Sequence, residues 1–279
     1  MPWNETDRAK YALSYQRYAS DLSDQEFALV QPLLPPSKRR GRKPTDPRHI
    51  LDALFYMART GCQWRYLPKD FPPFTTVQNR FYAWRDSGLW EQIAAVLVMQ
   101  VREAEGKDAS PTVVIVDSQA VKTTEAGGER GYDVAKATKG RKRHLAVDTL
   151  GLPIKCQITA ANVQDRDALA PLLKAVNRKS PWVKLAFADS GYNGDEAQRA
   201  AFEASRIRTT VVKRTDKQVK GFVVLPKRWI VERTFGWLNR ARRLAKDFET
   251  LVASSLGWFM LAVSFLLIRR IARDYEAAT

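Results

Sequence analysis

The chain has 279 residues, 45% of them hydrophobic and 10% aromatic, which is ample for a packed core and excludes a wholly disordered protein. Lys and Arg number 46 against 30 Asp and Glu, a net charge of +16, so the expected partner is a polyanion. Nucleic acid leads, beside a basic surface kept for solubility and a ribosome-like or membrane-surface protein. Only Cys62, Cys156, His49 and His144 could serve as soft metal ligands, and their scatter excludes a zinc site and a disulfide framework.

Met1 to Tyr11 mixes Glu5, Asp7, Arg8 and Lys10 with no apolar run, so no signal peptide is expected and the location reads as cytoplasmic and nucleoid-associated. Ser23, with Glu26 three places on, forms a capping box ahead of Phe27, Val30 and Leu34, and Pro35-Pro36 stops that helix. Ser37 to Pro44 then packs five basic residues into eight, Lys38, Arg39, Arg40, Arg42 and Lys43, and reads as a cationic loop. Asp46 caps a second helix with Pro47 at its first position, running to Gly61 with Ile50, Leu51, Leu54 and Phe55 on one face. Thr75 or Thr76 opens a third helix, with Val77, Phe81 and Trp84 as its apolar stripe and Gln78, Asn79 and Arg80 elsewhere, and Gly88 ends it. A fourth helix follows from Leu89 to about Glu105, and a polar linker from Gly106 to Pro111 closes a helical unit, residues 1–108.

From Thr112 the texture becomes β-branched, and residues 109–279 read as a mixed α/β unit. Strands are expected at Thr112 to Asp117, at Arg143 to Thr149 and Leu152 to Ala160 as a hairpin, at Lys184 to Asp189 and at Arg208 to Val212. Helices are expected at about 165–176, 194–204 and 227–244. Leu251 to Ile268 holds 18 residues without a charge, long enough for a membrane span, but Ser254, Ser255, Gly257 and Ser264 dilute it and a helix buried against a sheet has the same appearance. A soluble protein with a buried helix is the reading adopted.

Two apolar strands each end in Asp-Ser, at Asp117-Ser118 and Asp189-Ser190. Open α/β sheets bind ligands at strand ends, and two carboxylates converging there repel unless a divalent cation joins them. Each Asp alone could equally begin an ordinary turn. Glu232 is a third acid, on a helix whose steps of three and four align it with Arg228, Gly236, Asn239, Arg240 and Arg243; an Arg228 to Glu232 surface pair is the plain alternative. From Arg206 through Lys246 there are 13 basic residues against Asp216 and Glu232, and Lys136, Lys139, Arg141, Lys142 and Arg143 form another cluster. Carboxylates set among cations suit phosphodiester chemistry.

In these motifs the chain resembles the DDE transposases of bacterial insertion sequences, the IS-five grouping. The likeness covers nearly the whole chain and rests on Asp117-Ser-Gln-Ala-Val-Lys-Thr-Thr124, Gly131-Tyr132, Gly140-Arg-Lys-Arg-His144, Asp189-Ser-Gly-Tyr192, Trp229 through Leu238, and Arg242-Arg243. The resemblance implies an RNase H-like catalytic unit in which Asp117 ends the first strand, Asp189 ends the fourth and Glu232 lies on a later helix, all three serving as catalytic and metal-binding residues. It implies two Mg²⁺ or Mn²⁺ ions, an amino-terminal helix-turn-helix-like DNA-binding unit, and double-stranded DNA as partner, both terminal inverted repeats and target. A homodimer or higher oligomer follows, with no nucleotide cofactor and no membrane. The family's extended signature places Tyr and Arg before the glutamate and Lys seven places after it; here Arg228 fits, but Leu225 and Asn239 occupy the other two positions, so Arg240 or Arg243 is expected to supply the missing cation. The expected DNA contacts are Lys38, Arg39, Arg40, Arg42, Lys43, Gln78, Asn79, Arg80, Arg141, Lys142, Arg143, Arg228, Arg240 and Arg243. The competing functions are a metal-dependent nuclease without strand transfer and a DNA-binding protein on the same scaffold.

Overall fold

The computed structural model describes residues 17–36, 45–125, 127–212 and 228–278. Among the described residues four α-helices come first. In α1 (Asp24–Val30) the Ser23 hydroxyl accepts the Glu26 N–H and the Glu26 carboxylate accepts the Ser23 N–H, the reciprocal capping box expected from sequence. α2 (Pro47–Thr60) is capped by Asp46, which accepts the Arg48 N–H, and ends at Gly61 with φ 75°, a left-handed turn that favours glycine. α3 (Phe74–Asp86) begins a residue or two before the expected threonine cap, because Pro73 leads the chain in. Gly88, also left-handed at φ 70°, turns it into α4 (Leu89–Ala104).

The described strands form one sheet of six: β1 (Val113–Lys122), β2 (Gly131–Asp133), β3 (Thr138–Val147), β4 (Pro153–Ala160), β5 (Leu185–Ala188) and β6 (Arg208–Val211). β3 lies antiparallel between β1 and β4, and the short β2 adds to the start of β3. β5 pairs parallel with β1, and β6 parallel with β5. Parallel neighbours need crossovers, and α5 (Asp165–Lys179) and α6 (Asp195–Ser205) provide them, before β5 and before β6. The hairpin expected from Arg143 begins five residues earlier, and β2 was not foreseen, since three residues carry no readable period.

α7 (Arg228–Leu238) is shorter than the helix expected to Leu244: Ala241 adopts φ −79°, ψ 101°, which breaks the helical path before a separate turn at Arg242–Leu244. Arg243 therefore leaves the face that carries Glu232. α8 (Val252–Ala278) holds the apolar segment, and its stretch Val252–Tyr275 is the one helix among the described residues long and apolar enough to cross a membrane. In that segment 67% of the apolar window is covered by the rest of the chain. Trp258 stacks on Phe81 of α3 at 4.4 Å, and Phe265 on Phe55 of α2 at 4.5 Å. One buried apolar cluster thus runs from Leu22 through the sheet to Ile271. Large side chains buried this way contribute roughly 1.5 to 3 kcal/mol each.

Candidate active site

The parallel ladder between β1 and β5 ends at Val116 opposite Ala188, so Asp117 and Asp189 are the next residues on neighbouring strands, about 4.8 Å apart in strand spacing. Both lie on the face of the paired Ile115 and Phe187, because side chains alternate along a strand. Asp189 leaves the ladder in an extended conformation, and its Oδ1 accepts the Gly191 N–H at 3.0 Å, which fixes the tight turn Ser190–Tyr192. Asp117 does not end its strand, as expected, but sits in the middle of it. β3 keeps β1 paired for five further residues, and what stops at Asp117 is only the pairing with β5. The Ser118 N–H donates to Asp117 Oδ1 at 2.7 Å.

Glu232 comes from α7, whose other side is fixed. Val231 is buried, the Thr234 hydroxyl donates to the Gly151 carbonyl at 2.7 Å, and Arg233 donates to the Leu150 carbonyl at 3.0 Å. The Arg233 guanidinium lies 4.3 Å and 4.5 Å from the rings of Trp229 and Trp237, a cation–π ladder along the helix. Glu232 itself is exposed and lines an open groove with Ser118, Gln119, Lys136, Gly236 and Asn239. It therefore stands across the residue that follows Asp117. Among the described residues no three of His, Cys, Asp and Glu are gathered closely enough to hold a metal ion. The two aspartates are side by side and the glutamate is on the rim.

Behind the aspartates lies a group that the strand and helix patterns did not single out. A methyl group placed on Gly191 would stand 3.1 Å from Asp189 Oδ1 and 3.2 Å from Asp165 Oδ2, so the two carboxylates flank that glycine. Asp165 opens α5 and in sequence is indistinguishable from any acid favoured in a helix's first turn. Its Oδ1 lies 3.2 Å from Lys142 Nζ, which also meets Asp133 Oδ2 at 3.1 Å. Burial opposes ionisation of Asp133, but the Lys136 N–H and the Lys142 ammonium outweigh it and hold the carboxyl below its ordinary value. Tyr192 is fully buried, and burial followed by the charges of Asp165, Asp117 and Asp189 pushes its hydroxyl well above the ordinary tyrosine range. The phenol is thus surrounded by the negative charge of three carboxylates.

His144, on β3, is hydrogen-bonded through Nε2 to the Thr159 hydroxyl at 3.0 Å and is brought to a pKa of about 4 chiefly by burial, with Asp165 opposing the effect and Lys142 and Lys136 adding to it. In the unfolded chain the ring titrates near the usual value of about 6.5. The unfolded state therefore binds the extra proton between those two values, and stability is lost as pH falls from about 6.5 to about 4, by an amount on the order of 3 kcal/mol. Thermal melting across that range is expected to show the loss in the wild type and a flatter profile in His144→Gln; parallel profiles would refute it.

Several expected DNA contacts lie inside the protein, and for these the expectation is corrected. Arg141 is 0% exposed and Arg143 2%; the first is bound by Asp247 and three carbonyls, and the second donates to the Leu244 carbonyl at 2.9 Å. Lys142 is held by Asp133, Asp165 and the Val163 carbonyl. β3 is flanked on both sides, so residues on both its faces are covered; Arg141 and Lys142 meet buried carboxylates, while Arg143 is held by neutral oxygens of Leu244 and Gln119. Arg243 donates to the Cys62 carbonyl at 2.9 Å and to Glu249 at 2.6 Å, over the Trp258 ring at 4.2 Å. Asn79 and Arg80 are exposed on α3, while Gln78 donates to the Tyr82 hydroxyl at 3.0 Å. Arg240 is exposed but lines a different hollow, with Tyr18, Tyr56 and Arg59. Lys38, Arg39, Arg40, Arg42, Lys43, Leu225 and the Arg228 side chain lie outside the described residues.

Comparison with known proteins gives two family matches: residues 108–267 match the family “Transposase DDE domain”, and residues 22–94 match “Putative transposase of IS4/5 family”. The chain is 31% identical over 117 residues to “Insertion element IS402 uncharacterized 16.2 kDa protein” of Burkholderia cepacia, covering 39% of this chain and 78% of that one. It is 34% identical over 121 residues to “Putative transposase for insertion sequence element IS402” of the same organism, covering 41% of this chain and 56% of that protein. Among solved structures, “Crystal structure of a pre-cleavage Mos1 transpososome” aligns at 14% identity over 86% of this chain and 80% of that one, with a TM-score of 0.30.

Proposed function

The chain belongs to the DDE transposases of IS4/IS5-type elements, and from that premise we propose that it binds the terminal inverted repeats of its own element, cuts there and joins the freed ends to target DNA. The observation that carries the reading is the β1–β5 register, which sets Asp117 beside Asp189 with Glu232 across Ser118. The strand order, three antiparallel strands β4-β3-β1 followed by parallel β5 and β6 with helical crossovers, supports an RNase H-like catalytic unit over residues 109–279. Residues 1–108 are its DNA-recognition unit, with Asn79 and Arg80 of α3 directed at base edges or phosphates.

The donor chemistry fits a hard divalent cation, since three carboxylates offer only oxygen ligands. Asp117 and Asp189 would supply two of the protein's ligands to Mg²⁺ or Mn²⁺ and Glu232 the third, with two ions per site. Bound there, the metal would activate the attacking oxygen and stabilise the leaving one. In the first reaction water attacks the phosphodiester at the element's end, the P–O3′ bond breaks and the 3′-oxygen takes up a proton. In the second that 3′-hydroxyl attacks a target phosphodiester: one P–O bond forms as another breaks, so no ATP and no covalent protein intermediate are needed. Two ends must be joined together, which calls for two or more copies of the chain, working on chromosomal DNA in the cytoplasm.

The test uses purified protein and a plasmid carrying the DNA that flanks the gene, with Mg²⁺ or with EDTA. Cleavage at the repeats and joined products are expected with Mg²⁺ alone. Cutting without joining would reduce the protein to a nuclease, and binding without cutting in any divalent metal would reduce it to a DNA-binding protein.

A further inference from the structure

The structure assigns to Lys136 a role in that same reading: it is the substrate-contacting cation of the groove between β1 and α7, the group that meets the DNA phosphate beside Asp117 and Glu232. Its ammonium donates to the Ser118 carbonyl at 3.1 Å and lies 3.4 Å from the Ser118 hydroxyl, one residue from Asp117. The same groove is lined by Glu232 and the uncharged Asn239, and Lys136 is the one cation among the described residues that line it. Neither residue expected to supply the missing cation, Arg240 or Arg243, reaches this groove, and the Arg228 side chain lies outside the described residues. Arg243 is spent on Cys62, Glu249 and two tryptophans, Arg240 lines another hollow, and Lys142 is enclosed by Asp133 and Asp165.

The turn that presents Lys136 is built for the purpose. The Lys136 N–H donates to Asp133 Oδ1 at 3.1 Å, the Thr138 hydroxyl donates to the Lys136 carbonyl at 2.9 Å, and Lys142 anchors the other Asp133 oxygen at 3.1 Å. Ala137, next in the chain, is held at φ 46°, a left-handed conformation that alanine rarely adopts and that persists only where the surroundings impose it. The Lys136 side chain is exposed, unlike the buried Lys142 of β3. An ammonium has three N–H bonds; Ser118 takes at most two, and one is left for a phosphate oxygen. A cation at this point lets a phosphodiester approach three carboxylates that would otherwise repel it.

The experiment compares Lys136→Ala and Lys136→Arg with wild type on a duplex bearing the element's end, measuring melting temperature, affinity against salt, and cleavage rate. Lys136→Ala is expected to melt like wild type, to reduce the slope of log affinity against log salt by about 1, and to cut about a hundredfold more slowly. Lys136→Arg is expected to restore the salt slope and most of the rate, which a purely structural role would not predict. An unchanged slope in Lys136→Ala, or cleavage within about twofold of wild type, overturns the assignment. If the wild type binds but never cuts, the transposase reading fails on its own, and the salt slope still decides whether Lys136 touches DNA.

Discussion

Asp189→Asn is expected to abolish cleavage and joining, lowering the rate by at least about a thousandfold, while leaving DNA binding intact. The substitution is close to isosteric, and the amide oxygen can still accept the Gly191 N–H that shapes the turn. What disappears is one negative charge at the point where β1 and β5 deliver two. Neither neighbour can replace it: Asp117 is the other half of the pair, and Asp165 is turned to Lys142 on its far oxygen. Removing charge beside Asp165 and Asp117 relieves repulsion, so the melting temperature is expected to hold or rise, and affinity for duplex to hold or tighten. A further readout separates metal from fold: Mn²⁺ should raise the melting temperature of the wild type and raise that of Asp189→Asn much less. Cleavage by Asp189→Asn within tenfold of the wild-type rate would sink the assignment of this residue. Asp117→Asn should behave alike. Glu232→Gln tests whether the exposed rim residue joins the pair when DNA is bound.

What could be read from sequence followed the strength of each local signal. The Ser23 and Asp46 caps, the helix stop at Gly61 and the apolar stripes of α2 and α4 are governed by contacts within a few residues, and the structure has them where the local pattern placed them, as it has the uncharged run of α8 in a helix. Asp117 and Asp189 were legible because an apolar run followed by Asp-Ser is a local pattern repeated twice, although only Asp189 leaves its strand there. Their adjacency depends on register between strands some seventy residues apart, which only the resemblance to a family could anticipate. Asp165 was missed because its tie to Gly191 and Lys142 is entirely long-range. The basic clusters misled for a physical reason. Sequence counts charges but does not show which have partners, and Arg141, Lys142 and Arg143 find theirs in Asp247, Asp133, Asp165 and backbone carbonyls contributed by distant segments. The helix expected to run to Leu244 broke at Ala241, and with it went the shared face on which Arg243 was to join Glu232.

Arg141 carries the sharpest contrast between those two readings of a basic residue. Its guanidinium donates to the Glu129 carbonyl at 2.7 Å, to Asp247 Oδ2 at 3.0 Å, and to the Glu249 and Thr250 carbonyls at 2.7 Å each. Asp247 in turn accepts the Ser255 hydroxyl at 2.6 Å and the Glu249 N–H at 3.0 Å, and its own N–H reaches the Lys122 carbonyl at 2.8 Å. One side chain in the middle of β3 thus fastens the segment that leads into α8, whose burial ties the amino-terminal helices to the sheet. Arg141→Ala would leave the Asp247 carboxylate 3% exposed without its cation and three carbonyls without their donor. Breaking a buried pair from one side costs about 3 to 5 kcal/mol, which for a chain of this size lowers the melting temperature by roughly 6 to 15 °C. A lysine offers one ammonium where acceptors lie in several directions, so Arg141→Lys should recover little. Asp247→Asn in the Arg141→Ala background should recover part of the loss, since the uncompensated charge goes with it. The molecules that stay folded should bind DNA with the wild-type salt slope, in contrast to Lys136→Ala. Were Arg141→Ala instead to melt like the wild type and lose about one unit of salt slope, the guanidinium would be facing a phosphate and the packing of β3 against the 247–250 segment would be wrong.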